Sequence, residues 1–270
     1  MTPNPGTQKL QKVLADAGLG SRREMERWIA DHRIRVNGEP AHVGQRVEDG
    51  DVILVDGKPL PSRSPSHPRV LLYNKPVGEV CTRRDPEGRR TVFERLPEIG
   101  KGRWIAIGRL DIATSGLLLL TTDGKLANRM MHPSTGLDRE YAVRVNGVLT
   151  DEERKTLTSG IEVDGEHLAF SDIQYYDGRG TNHWYHVVLM EGRNREIRRL
   201  FEHCGLMVSR LKRVRFGPVV LPSRLARGHF ESLSDEDTRA LYGLLGLPCS
   251  LRPSRRTAAK NSVLIPYPEI

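Results

Sequence analysis

The chain has 270 residues, 37% hydrophobic and 28% charged, which suits one large or two modest globular domains and excludes a largely disordered chain. Its formal net charge of +8 favours a polyanionic partner, nucleic acid ahead of an anionic membrane surface. No stretch approaches a membrane-spanning length and the first six residues hold no signal-peptide core. Cys81, Cys204 and Cys249 form no disulfide framework, which points to a reducing cytosol, and the nine histidines lack metal-ligand spacing, so no metal is expected.

Leu10, Val13, Leu14 and Ala17 recur at helical spacing, and Gly18 ends that helix. Ser21-Arg22-Arg23-Glu24 is a capping box opening a second helix, with Met25, Trp28 and Ile29 as its apolar positions. A strand over residues 34–36 meets the turn Asn37-Gly38, and another over 52–55 closes on Asp56-Gly57. Lys9, Lys12, Arg22, Arg23, Arg27, Arg33 and Arg35 crowd this module against only Asp16, Glu24, Glu26 and Asp31, which favours a phosphate-contacting face over a merely solvated one. Residues 61–68 hold three prolines and three serines and read as a linker.

Beyond it, residues 70–73 read as a strand and Asn74-Lys75-Pro76-Val77-Gly78 as a turn, with one helical turn over 91–96. Residues 104–107 and the leucine run 117–120, continued by Thr121 and Thr122, read as buried strands. The loop between them sets Arg109 and Asp111 close to the core, where an ionised Asp needs partners. There follow a short helix over 125–131, an alternating strand over 139–145 and a helix capped by Thr150 and ended by Gly160. Next come a strand over 183–189, a helix with Ile197, Leu200, Phe201 and Cys204 inward, a basic strand over 206–216 and a final helix over 234–245. From Leu251 prolines and basic residues suggest a loose tail. Strands and helices mix without regular alternation, so the class is α+β rather than doubly wound α/β.

There is no P-loop, no GxSxG elbow, no HExxH and no HxE…PCxxC. What remains is one Asp in an arginine-rich setting without a cofactor motif. A lone carboxylate acts as nucleophile or base on a sugar carbon; a pair would suggest hydrolysis, and no second carboxylate is tied to Asp111.

Residues 8–60 resemble the alpha-L RNA-binding domain named after ribosomal protein S-four. Gly108-Arg109-Leu110-Asp111 with Thr114-Ser115-Gly116-Leu117-Leu118 resembles the active-site motif of the bacterial pseudouridine synthases. The Gly-Arg-Leu-Asp form is the one seen in the ribosomal branch that joins the type-A synthases of the small subunit with the type-B synthases of the large one. Residues 74–78, Glu140-Tyr141 and residues 191–199 resemble three further motifs of that family in the same order, and residues 81–97 are most similar to the type-B synthases. The resemblance implies an alpha-L domain over 8–60, a linker over 61–68, a catalytic domain with a mixed, largely antiparallel sheet over 69–250 and a basic flexible tail over 251–270. It implies isomerisation of a flipped-out uridine in large-subunit ribosomal RNA, free or in an assembling particle, by a cytoplasmic monomer without metal, cofactor or membrane contact. Asp111 is then the essential carboxylate, Tyr141 stacks on the uracil and Arg198 pairs with Asp111. Arg109 fills the gap left by the base, Ile197 packs on the ring, and Lys75, Arg22 and Arg23 touch RNA. The alternatives are a small-subunit or transfer RNA substrate, or a non-catalytic RNA-binding assembly factor.

Overall fold

The computed structural model describes residues 7–60, 67–99, 102–251 and 262–268. The chain divides into two units, Met1–His67 with Pro97–Trp104, and Pro68–Leu96 with Ile105–Ile270. The second piece of the first unit differs from the expected boundaries, which gave 97–104 to the large domain. Its ends are joined by the Trp104 indole N–H, which donates to the Pro97 carbonyl at 2.8 Å.

The first unit runs β1 (Gln8–Lys9), α1 (Leu10–Asp16), α2 (Arg22–Ala30), β2 (Ile34–Val36), β3 (Glu39–Pro40), β4 (Arg46–Val47), β5 (Ile53–Val55) and β6 (Lys58–Pro59). Both halves of the Ser21–Glu24 capping box form, fixing where α2 starts. Asn37 and Gly38 take φ of 52° and 88°, and Asp56 and Gly57 49° and 75°, the positive values a tight hairpin turn demands. Leu10, Leu14, Met25, Ile29 and Ile34 form its fully buried core.

The second unit contains β7 (Val70–Lys75), β8 (Ile105–Ile107), β9 (Ser115–Thr121), α3 (Gly124–Met131), β10 (Arg139–Val145), α4 (Asp151–Ser159), β11 (Ile161–Val163), β12 (Glu166–Leu168), β13 (Asp172–Arg179), β14 (Asn182–Leu189), α5 (Glu196–His203), β15 (Val208–Phe216), β16 (Val219–Val220), β17 (Phe230–Ser232) and α6 (Asp235–Leu244). Its sheet runs β13-β14-β10-β15-β9-β7-β17, with β8 also on β9 and β16 on β15. All pairs are antiparallel except β9 with β15, as expected for a mixed, largely antiparallel α+β domain. Every residue of β9 is buried, which explains the unbroken leucine run. Leu117 and Leu119 join Val70, Leu72, Leu126, Met130, Leu241 and Tyr242 in one core.

Three expectations need correction. Residues 91–96 form turns rather than helix: Thr91 pairs with Val80 as a parallel bridge, and beyond it Glu94 N–H donates to the Thr91 carbonyl and Leu96 N–H to that of Phe93, both at 3.4 Å. The hairpin β11–β12, turned by Asp164-Gly165 at φ 51° and 76°, was not anticipated. The tail is not loose throughout: the Val263 carbonyl accepts from Val220 N–H at 2.9 Å and Ser262 donates to Asp237 at 2.7 Å. Residues 252–261 of that tail, and 61–66 of the expected linker, lie outside the described residues.

The docked tail completes an ion network. Arg215 donates to Asp138 at 2.6 and 2.8 Å and to Glu140 at 2.9 Å; Tyr267 donates to Asp138 at 2.8 Å, and His186 sits 2.6 Å from Glu140. Burial works against both carboxylates, but Arg215 with Tyr267, and His186 with Arg215, outweigh it and hold Asp138 and Glu140 below their ordinary values. Carboxylates with depressed folded pKa contribute stability that is present above their unfolded values, about pH 4, and is lost as pH falls through the folded ones. Arg215→Met is therefore expected to cost about 3 kcal/mol at pH 7 and to flatten the loss of stability between about pH 5 and pH 2, read by denaturant unfolding at a series of pH values.

Candidate active site

Strands β8 and β9 form a hairpin whose loop, residues 108–114, carries Arg109 and Asp111. The loop is anchored through its backbone. Lys75 has no exposed surface, and its Nζ donates to the carbonyls of Pro76 at 3.0 Å, Asp111 at 3.1 Å and Thr114 at 2.9 Å. Gly78 N–H donates to the Ile112 carbonyl at 2.8 Å. Leu110 N–H donates to Cys81 Sγ at 3.4 Å, and the thiol returns a bond to the Leu110 carbonyl at the same distance. Burial pushes Lys75 below its ordinary pKa, opposed by Cys81, Glu79 and Asp111. All three ammonium donors are used, so Lys75 holds the loop instead of touching RNA, which corrects the expectation for it. Lys75→Met leaves those carbonyls without donors. It is expected to cost about 2 kcal/mol by thermal unfolding and to lower turnover more than it lowers RNA affinity.

The Asp111 carboxylate is exposed and makes no hydrogen bond or ion pair among the described residues. The cost of burial that the sequence raised for it does not arise. It borders a cavity of about 790 Å³, within the size of small-ligand pockets, about 300–1,000 Å³. Arg109, Tyr141 and Ile197 line the same cavity, as do Cys81, Arg139, Glu196, Arg213 and Phe216.

Tyr141 reaches it through strand register. Tyr141 on β10 lies opposite Arg213 on β15, Arg213 opposite Gly116 on β9, and Gly116 opposite Lys75 on β7. One row across four strands thus joins the aromatic ring to the loop anchor. A register shift beside Tyr141 skips Val214, a bulge of the kind that re-aims side chains beside functional sites. Tyr141 is 8% exposed and its hydroxyl has no hydrogen-bond partner among the described residues. Arg213 is 3% exposed; its Nε donates to the Leu117 carbonyl at 2.7 Å, and its guanidinium lies 5.1 Å from the Phe216 ring centre.

The helix α5 starts at the cavity, with Arg193, Asn194, Glu196 and Ile197 in its lining. Arg195 caps it in the left-handed region, at φ 50°, and the buried Glu196 accepts Arg193 N–H at 3.0 Å. Burial raises the Glu196 pKa against that bond.

Residues 69–203 match the model of the RNA pseudouridylate synthases, and residues 8–53 match the S4 domain. A Pseudomonas aeruginosa protein named ribosomal large subunit pseudouridine synthase B is 55% identical over 260 residues, 95% of this chain and 67% of its own length. Its namesake from Escherichia coli K12 is 52% identical over 246 residues, 90% of this chain and 84% of its own.

The chain belongs to the RNA pseudouridylate synthase family.

The synthase also shares its fold with a crystal structure of a pseudouridylate synthase, with a TM-score of 0.60 and 24% identity over 86% of this chain and 99% of that one. The structure brings Asp111, Tyr141, Arg109 and Ile197 to one cavity. It does not pair Arg198 with Asp111. Arg198 donates to the Val208 carbonyl at 2.8 Å, and no ion pair joins it to Asp111 among the described residues. Burial and then Arg195 lower the Arg198 pKa, while the charge of Asp111 raises it, so the two groups sense one another without contact. Arg22 and Arg23 are exposed in the first turn of α2, with no ion pair or hydrogen bond of their side chains among the described residues. Sequence reasoning passed over Arg213 and Cys81 as site residues of the synthase. The available signal for Arg213 was its inward position in an alternating basic strand, between Leu211 and Phe216.

Proposed function

We propose that this enzyme converts one uridine of large-subunit ribosomal RNA to pseudouridine, with Asp111 as the reacting carboxylate. The observation that carries the reading is the placement of Asp111: its backbone is pinned by Lys75 while its carboxylate stays free at a cavity that Tyr141 also lines. The names of the relatives favour the large subunit. The target uridine leaves its stack to enter the cavity. Asp111 either bonds to ribose C1′ as the C1′–N1 bond breaks, or removes the C2′ proton so that the base leaves and a glycal remains. The uracil turns, C5 bonds to C1′ as the bond from C1′ to Asp111 breaks or as Asp111 returns the proton to C2′, and the C5 proton leaves last. Tyr141 and Ile197 pack against the base, and Arg109 fills the space it vacates.

The S4 domain contributes affinity for RNA through Arg22 and Arg23 on a monomer of the cytoplasm. Arg22→Glu with Arg23→Glu is expected to weaken RNA binding about tenfold and to reduce its salt dependence, measured by titration at several salt concentrations. The substrate assignment is tested by incubating the protein separately with large-subunit, small-subunit and transfer RNA and mapping pseudouridine by sequencing. Modification of one site in large-subunit RNA is expected; modification confined to either other RNA, or none at all, overturns the assignment.

A further inference from the structure

We propose that Arg213 is a catalytic residue that binds the uracil anion between its departure from ribose and its return. The inference rests on the uridine-isomerising reading above and assigns a partner to the group that leaves.

Arg213 is nearly sealed from solvent, yet forms no ion pair among the described residues. A guanidinium does not escape burial by losing its proton, and an unpaired buried charge costs several kcal/mol. What holds it is the Leu117 carbonyl on Nε and the face of Phe216; Nη2 is buried with no hydrogen-bond partner. A cation with an unused donor thus lines the cavity that Asp111 borders. It is not placed as the counter-ion of Asp111. No ion pair joins it to Asp111 among the described residues; it is held on β15 against the Phe216 ring, whereas Asp111 stands on the loop between β8 and β9.

The reaction creates the anion such a site lacks. Whether Asp111 bonds to C1′ or takes the C2′ proton, the C1′–N1 bond breaks with its electron pair on the base. The uracil then carries one negative charge spread over N1, O2 and O4. It stays in the cavity, turns, and donates an electron pair from C5 to C1′, as the bond from C1′ to Asp111 breaks or as Asp111 returns its proton to C2′; the C5 proton departs last. A fixed guanidinium beside the base stabilises this interval more than the neutral uridine before it, and so lowers the barrier. Its planar set of donors keeps an oxygen in reach as the ring turns.

The test uses the full-length protein with Arg213→Met and Arg213→Lys. Single-turnover cleavage of the C1′–N1 bond is measured on RNA carrying uridine or 5-fluorouridine at the target, with RNA affinity and thermal unfolding measured separately. Fluorine stabilises the departing anion without help from the protein. On uridine, Arg213→Met is expected to be slower by about 10²–10³-fold at affinity within threefold of wild type, with Arg213→Lys intermediate. On 5-fluorouridine the deficit of both variants is expected to shrink at least tenfold. Equal deficits on the two bases, or a loss confined to affinity, overturn the proposal, and Arg213→Lys supplies the comparison should the Met variant unfold. A wild-type protein that makes no pseudouridine contradicts the enzymatic reading itself; active variants with wild-type rates contradict only the role of Arg213.

Discussion

Replacing Asp111 by Asn is expected to lower pseudouridine formation by about 10⁴-fold or more, while RNA affinity stays within about threefold of wild type. The change removes the negative charge and keeps the shape. The carboxylate is exposed and bonds to nothing among the described residues, so its loss breaks no contact of the fold. The loop keeps its place because Lys75 and Gly78 hold carbonyls of the backbone. An amide neither attacks ribose carbon nor accepts its proton, and 10⁴-fold corresponds to about 5.5 kcal/mol of barrier. Binding relies on charges and surfaces that the substitution leaves alone; removing one negative charge beside a polyanion favours affinity if it changes it. Pseudouridine formation under saturating enzyme, with filter-binding affinity measured in parallel, separates the two effects.

The second large effect concerns folding. Gly116→Ala is expected to lower stability by about 4 kcal/mol and the melting temperature by about 10 °C, with loss of activity at temperatures where the domain still folds. Strands β9 and β15 pair through only two residue pairs, Ser115 with Lys212 and Gly116 with Arg213, and this parallel contact joins the two halves of the sheet. A Cβ on residue 116 would lie 2.2 Å from the Arg213 carbonyl oxygen and 2.7 Å from its amide nitrogen. Both are backbone atoms inside the sheet and have no route aside. The backbone of Gly116 also sits at φ +102°, which L side chains rarely adopt. Separating the strands would move Arg213 and Tyr141 away from the Asp111 loop, so the same methyl group damages the site. Circular dichroism melts and activity assays of the variant check both parts.

What was legible in the chain was what neighbouring residues decide. Ser21 and Thr150 cap their helices with both halves of a capping box, and Asn37-Gly38 and Asp56-Gly57 turn their hairpins. The leucine run read as a buried strand because no face of β9 meets water. Asp164-Gly165 carried the same turn signal and went unread, because Glu162, Glu166 and His167 leave the two flanking strands without an apolar run. The hidden parts are those that distant residues decide. Lys75 as a clamp depends on carbonyls 36 and 39 residues away, and Arg213 depends on a partner strand 96 residues upstream. The exposure of Asp111 was likewise invisible, since a loop between two buried strands has no periodicity to say which way its side chains face. Residues 97–104 break the assumption that a domain is one stretch of chain.

The most direct test of the central claim follows the hydrogen that the reaction must release. Large-subunit RNA labelled with tritium at uracil C5 is bound to excess wild-type protein or to Asp111→Asn, at equal occupancy confirmed by binding, and label in water is counted in a single turnover. Release of one equivalent by the wild type and none above background by Asp111→Asn is the expected result. Release by Asp111→Asn at a rate near wild type would contradict the assignment of Asp111 as the group on which the chemistry depends.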